Sequence, residues 1–320
     1  METYHLEAET TVVVANPAAA GGRVGRRWAM IDTLIKRSLG PVKVLQTQAM
    51  GDGVALARKA VEEGARTLLS LGGDGTHNEV VNGIMAAGVA PGSVALGVLP
   101  TGTGGDLKRV LRSSGSLEAA TDALTAATAV PVDVGAIAFE DDEGVGSERF
   151  FINMAAAGMS GAVDRLVNRS SKRLGGRMTF FMCTLRALGS YEAPVVRLWV
   201  DDDDKGEFKI TNIIAGNSVF AGGGMKLVPS ARLGDGMLDF VVFKEASLWR
   251  SLTLTPKIYS GTHVDTPICE VFRGTSARVA LVSGPAAPVD IDGESPGRLP
   301  VSFRLEPSAI RLLNLLPEYL

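Results

Sequence analysis

The first part of the chain alternates short apolar runs with segments of helical periodicity. Strands are predicted for four apolar runs: TVVVA from Thr11, VKVLQ from Val42, TLLSL from Thr67 and ALGVLP from Ala95. Helices are predicted between them, around Arg26–Ser38, Gly51–Glu63 and Asn78–Ala87. Strands that are apolar throughout and alternate with helices are typical of a parallel sheet covered on both faces. Residues 1–134 are therefore predicted to form an open α/β domain.

The pattern changes after Val134, where residues alternate between apolar and polar. The two acidic runs, DDE from Asp141 and DDDD from Asp201, lie between such segments and are interpreted as solvated hairpin tips rather than metal sites. Asp164–Leu188 is the one predicted helical insertion. Residues 135–304 are therefore predicted to form an antiparallel β domain, and residues 305–320 to return to the first domain.

The composition narrows the functional classes. The 320 residues carry a formal net charge of −3, which argues against a nucleic-acid-binding protein. Two cysteines, Cys183 and Cys269, are too few for a disulfide scaffold and fit a reducing compartment. The sequence contains neither a signal-peptide pattern nor an apolar stretch long enough to span a membrane. A cytoplasmic protein is expected.

Three glycine-rich segments follow predicted strands: NPAAAGGRVGR, GGDGTHNE and PTGTGGD. Ligands of open parallel sheets bind at the carboxyl ends of the strands, where glycine lets a phosphate approach the backbone. Each segment alone could be an ordinary strand-to-helix turn, but three together favour a nucleotide-phosphate site. The motifs of Walker A loops, protein kinases and serine hydrolases are missing, and a dinucleotide fingerprint is only weakly supported. His77 is interpreted as a satisfied loop residue.

Carboxylates accompany these glycines. Asp74 lies in the second segment, Asp106 ends the third, and Asp133 lies at the predicted domain border. An acid beside bound phosphate requires a cation, the role that Mg²⁺ has in phosphoryl transfer. We therefore expect Asp74 to organise the metal or the attacking group.

Two later acidic segments have two interpretations each. RLGDGMLDF, with Asp235 and Asp239, is either a hairpin turn or a cation site. VDIDGESPG, with Asp290, Asp292 and Glu294, is either a hairpin tip or the source of a general base.

Taken together, the segments NP…GG, GGDGTHNEVVNG, LPTGTGGDLKR, VDVG, GDGMLDFVVF and DGE resemble the diacylglycerol kinase and sphingosine kinase catalytic family. They cover nearly the whole chain and are most similar to the stand-alone bacterial lipid kinases. The GGDGT core is shared with NAD kinases, whereas GDGMLD and the terminal DGE are more specific. The resemblance implies an NAD kinase/diacylglycerol kinase-like α/β domain, a β-sandwich, and an active site in the interdomain cleft.

The resemblance also implies roles for individual residues. ATP would be bound by a set drawn from the glycine-rich segments and nearby polar residues: Asn16, Thr47, Gly72, Gly73, Asp74, Gly75, Thr76, Asn78, Glu79, Thr103 and Glu294. Catalytic Mg²⁺ would be held by Asp74, Asp106 and Asp133, and a second, structural Mg²⁺ by Arg232, Asp235 and Met237. Asp292 would be the general base and Asp74 the other catalytic residue. Gly105 replaces the usual asparagine, which puts one local hydrogen bond in doubt.

The expected function is Mg²⁺-dependent transfer of the ATP γ-phosphate to a lipid hydroxyl, with diacylglycerol the leading acceptor. Sphingoid bases, other lipids and NAD-like soluble acceptors remain alternatives. A non-catalytic sensor is least favoured, because a decayed site should have lost at least one of four aspartates that are all present: Asp74, Asp106, Asp133 and Asp292. FFINMAAAGMSGAV is either a wall for the lipid tails or plain core. Five basic residues of the helical insertion either touch anionic headgroups or form a solvated face: Arg165, Arg169, Lys172, Arg173 and Arg177. We expect peripheral membrane binding, and the sequence leaves a homodimer open.

Overall fold

The computed structural model describes residues 2–101, 105–112, 115–169, 183, 186, 189 and 191–320. The chain divides into two compact units. Unit 1 contains Met1–Val134, Arg232–Gly236 and Glu306–Leu320, and unit 2 contains Gly135–Ala231 and Met237–Leu305. Two strands, β6 (Thr128–Asp141) and β17 (Gly297–Leu313), contribute residues to both units.

Unit 1 is an α/β unit. Its own strands are β1 (Glu2–Thr3), β2 (Thr11–Ala15), β3 (Lys43–Gln46), β4 (Thr67–Gly72) and β5 (Ala95–Pro100). Its α-helices are α1 (Ala19–Arg26), α2 (Trp28–Leu39), α3 (Asp52–Glu62), α4 (Asp74–Ala86) and α5 (Leu117–Leu124). Short 3-10 helices span Ala8–Thr10, Leu107–Val110 and Pro317–Tyr319.

The main sheet of unit 1 has the order β17–β5–β4–β2–β3, and every neighbouring pair is parallel. The β17 residues that pair with β5, Arg311 and Leu312, belong to the last segment of the chain. All residues of β2, β4 and β5 are buried, as expected for strands covered on both faces. This confirms the predicted parallel α/β architecture.

Two helices of unit 1 differ from the sequence prediction. α4 begins at Asp74, four residues before the predicted Asn78, so that most of the second glycine-rich segment is helical. α1 was not predicted, and three left-handed residues, Ala20, Gly21 and Gly22, interrupt it. Its glycines allow this backbone geometry, which is costly for residues with a side chain.

Unit 2 is antiparallel. Its own strands are β7 (Gly146–Phe151), β8 (Met154–Gly158), β9 (Val195–Val200), β10 (Asp203–Gly216), β11 (Phe220–Ala221), β12 (Met225–Lys226), β13 (Leu238–Lys244), β14 (Cys269–Gly274), β15 (Ser276–Ser283) and β16 (Val289–Ile291). The α-helices in the described part of unit 2 include α6 (Met159–Arg169) and α7 (Leu248–Ser260), and a 3-10 helix spans Thr262–Asp265.

The long strand β10 takes part in both sheets of unit 2. Its first half pairs with β9 and its second half with β8 and β13, with an irregularity between Ile210 and Asn212. β15 extends the first sheet through β9, and β14 and β16 extend the second through β13 and β8. Phe240 of β13 and Phe303 of β17 pack in the core with ring centroids 5.9 Å apart. This arrangement confirms the predicted antiparallel β-sandwich.

The acidic hairpin tips are also confirmed, since Asp201 and Asp202 form the turn between β9 and β10 and Asp142–Val145 link β6 to β7. α6 begins five residues before the predicted helical insertion, at Met159. Phe151, Ile152, Ala155 and Ala157 are fully buried, which supports core rather than a lipid-facing wall for that stretch. No helix in the described part of the chain is both long enough and apolar enough to cross a membrane.

Candidate active-site residues

The carboxyl ends of β2, β4 and β5 bring polar and glycine residues to one edge of the unit 1 sheet. The Asn16 backbone N–H donates to the Leu71 carbonyl over 2.9 Å, and its side-chain amide donates to Thr76 Oγ1 over 3.0 Å. The Thr101 N–H donates to the Gly72 carbonyl over 3.1 Å. Residues from all three strands therefore meet where ligands of such sheets bind.

The segment from Gly72 to Thr76 turns β4 directly into α4. A Cβ atom at Gly72 would lie 2.5 Å from Thr76 Oγ1, so that this glycine permits the tight turn. A Cβ atom at Gly73 or Gly75 would meet no atom within 4 Å. The N-cap residue of α4 is Gly73, which has no side chain to cap the helix start. The first-turn N–H groups of this helix, with its positive dipole end, are suited to bind an anion.

Asp74 connects this helix start to the third glycine-rich segment. Its two carboxylate oxygens each accept from the Asp106 N–H over 2.9 Å, and Oδ1 also accepts from the Leu107 N–H over 3.2 Å. Asp106 is itself buried, and its carboxylate lies 3.5 Å from Arg109 Nε. Asp74 thus fixes the entry to the 3-10 helix at Leu107–Val110 and brings Asp106 into the same neighbourhood.

Asp133 has a different set of contacts. Its carboxylate accepts from the Ser308 N–H over 2.7 Å and from the Gly236 N–H over 2.8 Å, and its own N–H donates to the Leu233 carbonyl. Asp133 is 2% exposed. These bonds join the three chain segments of unit 1, so that Asp133 has a clear structural role in addition to the metal role that the resemblance implies.

The described residues include no group of three or more His, Cys, Asp or Glu side chains placed to hold a metal ion. This does not conflict with Mg²⁺, which usually binds one or two carboxylates together with substrate phosphates and water. Asp74 and Asp106 supply oxygen ligands of that type beside the anion-binding helix start. The donor set therefore fits a Mg²⁺ ion that arrives with a nucleotide.

Glu79 and Thr47 lie near the N-terminus of α3. The Glu79 carboxylate accepts from the Gly51 N–H over 3.0 Å and from the Gly53 N–H over 2.8 Å. Thr47 is buried, and its N–H donates to the Ala15 carbonyl. Glu79 thus acts as a cap that holds the Thr47–Gly53 loop against α4, a role the sequence prediction missed because the partners are 26 and 28 residues away.

His77 lies in α4 rather than in a loop, and its partner shows that it is satisfied. Its Nδ1 lies 2.8 Å from Ser70 Oγ of β4, and both residues are buried. Burial lowers the pKa of His77 to about 4, against the opposing charge of Asp74. His77 is therefore neutral near pH 7. Ser70 was not singled out from the sequence, because a serine within an apolar strand gives no signal of its partner.

The remaining nucleotide-site candidates of unit 1 are Asn78 and Thr103. Asn78 lies in α4, and its backbone and side-chain oxygens accept from the Asn82 amide. Thr103 lies outside the described residues, as do Lys172, Arg173 and Arg177 of the predicted basic insertion.

The second proposed metal segment forms an exposed turn just before β13. Asp235 is exposed and Gly236 has a φ of +75°. β13 pairs with β10 and β14, so this turn does not join two paired strands and the hairpin interpretation is wrong. Arg232 and Asp235 belong to unit 1 and Met237 to unit 2. Asp239 is buried, and it accepts from Ser230 Oγ over 2.8 Å.

In unit 2, Asp292 lies in a tight turn after β16. The Ile291 N–H donates to the Glu294 carbonyl over 2.8 Å, and the two central residues have positive φ, +46° at Asp292 and +90° at Gly293. The Asp292 carboxylate accepts from the Met154 N–H over 3.1 Å and from the Ile152 N–H over 3.3 Å. The turn thus places this side chain at the beginning of β8.

The neighbouring acids of this turn are tied to other groups. Asp290 accepts from the Gly293 N–H over 2.9 Å. Glu294 forms a 2.8 Å ion pair with Arg149 of β7. Arg165 of α6 bonds to Ser295, Gly297 and Asp142, so its guanidinium is engaged within unit 2. Arg165 is therefore bound to neighbouring residues of unit 2 and does not lie on a fully solvated face.

Family models match both halves of the chain. The model described as the diacylglycerol kinase catalytic domain matches residues 10–137, and the model described as the YegS C-terminal NAD kinase beta sandwich-like domain matches residues 153–314. The chain is 30% identical to a diacylglycerol kinase from Staphylococcus carnosus (strain TM300), over 80% of this chain and 79% of that protein. It is 29% identical to a diacylglycerol kinase from Staphylococcus epidermidis (strain ATCC 12228 / FDA PCI 1200), over 91% of this chain and 87% of that protein.

Solved structures show the same fold. A crystal structure of a protein from Bacillus anthracis str. Sterne aligns with a TM-score of 0.74 at 20% identity, covering 98% of this chain and 99% of that chain. Another, of a diacylglycerol kinase from the same organism, aligns with a TM-score of 0.68 at 18% identity over 98% of each chain. The sequence matches establish the family: this chain belongs to the diacylglycerol kinase family of lipid kinases.

Proposed function

We propose that this protein is an ATP- and Mg²⁺-dependent lipid kinase that transfers the γ-phosphate of ATP to a hydroxyl group of diacylglycerol. The observation that carries the proposal is the glycine-flanked start of α4, with Gly73 as its N-cap residue, beside the Asp74 carboxylate. It offers backbone N–H groups to phosphates and a carboxylate to their counter-ion. The names of the Staphylococcus relatives support diacylglycerol as the acceptor.

The nucleotide phosphates bind the first turn of α4, next to Asn16 and Thr76. Asp74 and Asp106 hold Mg²⁺, which supplies neutralisation of the phosphate charge when it is bound. Glu79 and Thr47 support the adjacent loop. The exposed Asp235 and its neighbours Arg232 and Met237 are the proposed ligands of a second, structural Mg²⁺.

Asp292 is the proposed general base. It takes the proton of the acceptor hydroxyl as that oxygen forms a bond to the γ-phosphorus, and the bond to the β–γ bridging oxygen breaks to release ADP. The two N–H groups that bind the Asp292 carboxylate keep it oriented. Because the acceptor is a lipid, we propose that the enzyme works at a membrane surface as a peripheral protein.

The test is transfer of radiolabelled γ-phosphate from ATP to lipids in mixed micelles. We expect a labelled, organic-soluble product with diacylglycerol, and a fall in kcat of about 10²- to 10⁴-fold in Asp292→Asn with an unchanged KM for ATP. Asp203→Asn is the matched control, because its carboxylate lies on a hairpin of the same unit and is 82% exposed. No labelled lipid from diacylglycerol would overturn the proposal, even if a sphingoid base is labelled, as would full activity in Asp292→Asn. NAD is assayed as the soluble acceptor.

A further inference from the structure

We propose that Arg165 is a positioning residue that holds the turn carrying Asp292 in its productive place. The inference rests on the proposed role of Asp292 as general base. It concerns a residue that, in the described contacts, does not touch Asp292 itself. Arg165 acts through the chain that leaves the turn, Ser295 to Gly297.

The guanidinium of Arg165 forms hydrogen bonds to this chain segment at two residues. Its Nε donates to Ser295 Oγ over 3.0 Å, and its Nη2 donates to the Gly297 carbonyl over 3.0 Å. The same Nη2 donates to Asp142 over 2.8 Å. A planar fork of fixed donors can bind several acceptors in one geometry, which the single ammonium of lysine cannot reproduce.

The turn is closed by two backbone hydrogen bonds between Ile291 and Glu294, whereas the Asp292 carboxylate that it carries is attached at the beginning of β8 by bonds that are longer on average. Asp292 has a left-handed φ of +46°, a conformation that costs a residue with a side chain some stability. The Asp292 carboxylate bonds to N–H groups over 3.1 and 3.3 Å, the long end of the hydrogen-bond range. A shift of the segment after Gly293 would therefore lengthen the contacts that orient the carboxylate.

Helix α6 provides a fixed base for Arg165. Its first turn approaches β16 closely, since a Cβ atom at Gly161 would lie 2.4 Å from the Val289 carbonyl oxygen. Ser160 Oγ donates to Asn212 Oδ1 of β10 over 3.1 Å, and Val163 is buried. The helix is thus packed against the strand that enters the turn, while Arg165 holds the chain that leaves it. The chain segments on both sides of the turn are thus attached to the same element, helix α6.

The experiment compares Arg165→Met with Arg165→Lys and with Arg197→Met. Arg197 lies on β9 of the same unit and forms ion pairs of its own, so that its replacement controls for loss of a surface arginine. The first readout is hydrogen exchange of the peptide containing Ile152 and Met154, whose N–H groups bind Asp292. We expect at least about tenfold faster exchange in Arg165→Met, partial recovery at most in Arg165→Lys, and no change in Arg197→Met.

The second readout is steady-state kinetics with diacylglycerol. We expect kcat to fall about 10- to 100-fold in Arg165→Met, with a much smaller change in the KM for ATP, because every proposed nucleotide contact except Glu294 lies in unit 1. Unchanged exchange or unchanged kcat would overturn the inference, and so would a rise in the KM for ATP of similar size. If Arg165→Met fails to fold, Ser295→Ala removes one of the two hydrogen bonds from Arg165, and hydrogen exchange of the same peptide then tests the inference. If the native protein phosphorylates no lipid, the proposed function fails, while hydrogen exchange still shows whether Arg165 holds the turn.

Discussion

Replacement of Asp133 by asparagine separates a structural role from a metal-binding role. Each oxygen of the buried carboxylate accepts one backbone N–H, from Gly236 and Ser308. An asparagine keeps one acceptor and turns an NH₂ group towards the other N–H. We expect the loss of one charge-assisted hydrogen bond, about 1.5–3 kcal/mol, together with the cost of one buried N–H left without a partner, about 1–3 kcal/mol.

The expected loss of about 2.5–6 kcal/mol is a large fraction of the stability of an ordinary domain. The assay is urea unfolding followed by the fluorescence of Trp28, with Trp199 and Trp249 replaced by phenylalanine so that only unit 1 reports. With a slope of about 2 kcal/mol per molar urea, the midpoint should fall by about 1.2–3 M. Asp235→Asn is the control, because that carboxylate is exposed.

The reasoning is refuted if Asp133→Asn leaves the urea midpoint within about 0.3 M of the parent, a change of roughly 0.5 kcal/mol. Loss of kinase activity at unchanged stability would then assign Asp133 to the metal alone. Loss of stability with a parent-like dependence of the remaining activity on Mg²⁺ concentration would assign it to the fold alone.

Three further predictions concern unit 1. Gly75→Ala should leave stability unchanged or raise it by up to about 1 kcal/mol, because its Cβ meets no atom, but should raise the KM for ATP; an unchanged KM would exclude close phosphate contact there. Gly53→Ala should destabilise the fold by about 1–3 kcal/mol in urea unfolding, because its Cβ would lie 2.5 Å from Glu79 Oε2, and a parent-like midpoint would contradict this. His77 has a folded-state pKa below its unfolded value, so the unfolded chain binds the proton first and stability falls as pH drops from about 6.5 towards 4. His77→Gln should remove about 2 kcal/mol of the stability difference between pH 7 and pH 5, and an identical difference in the two proteins would show that His77 is not held neutral.

The sequence predicted the elements whose pattern is local. Apolar runs such as that of β4 identified the parallel strands, and alternation around the Asp201 tip identified a hairpin. The start of α4 was missed because its first residues, rich in glycine, have low helix propensity. Asp74 binds backbone N–H groups more than thirty residues away, and this tertiary contact stabilises the helix start.

The residues of the candidate site also fall into two groups, those that the sequence identified and those whose roles it did not show. Residue types next to glycine-rich turns were enough to identify Asp74 and Asn16 as candidates, because the chemistry of phosphate binding restricts those types. The capping role of Glu79 and the grip of Arg165 on Ser295 depend on partners distant in the chain. Neither residue type nor spacing carries information about such partners, so these roles required coordinates.

The strand of the unit 1 sheet that pairs with β5 comes from the last segment of this chain. During synthesis, the ribosome produces all of unit 2 before this strand emerges. Until then β5 presents unpaired N–H and C=O groups on one side, the kind of open edge that recruits other chains. Nascent unit 1 therefore cannot complete its sheet before unit 2 has been made, and a newly made molecule depends on late, long-range pairing to close this open side of β5.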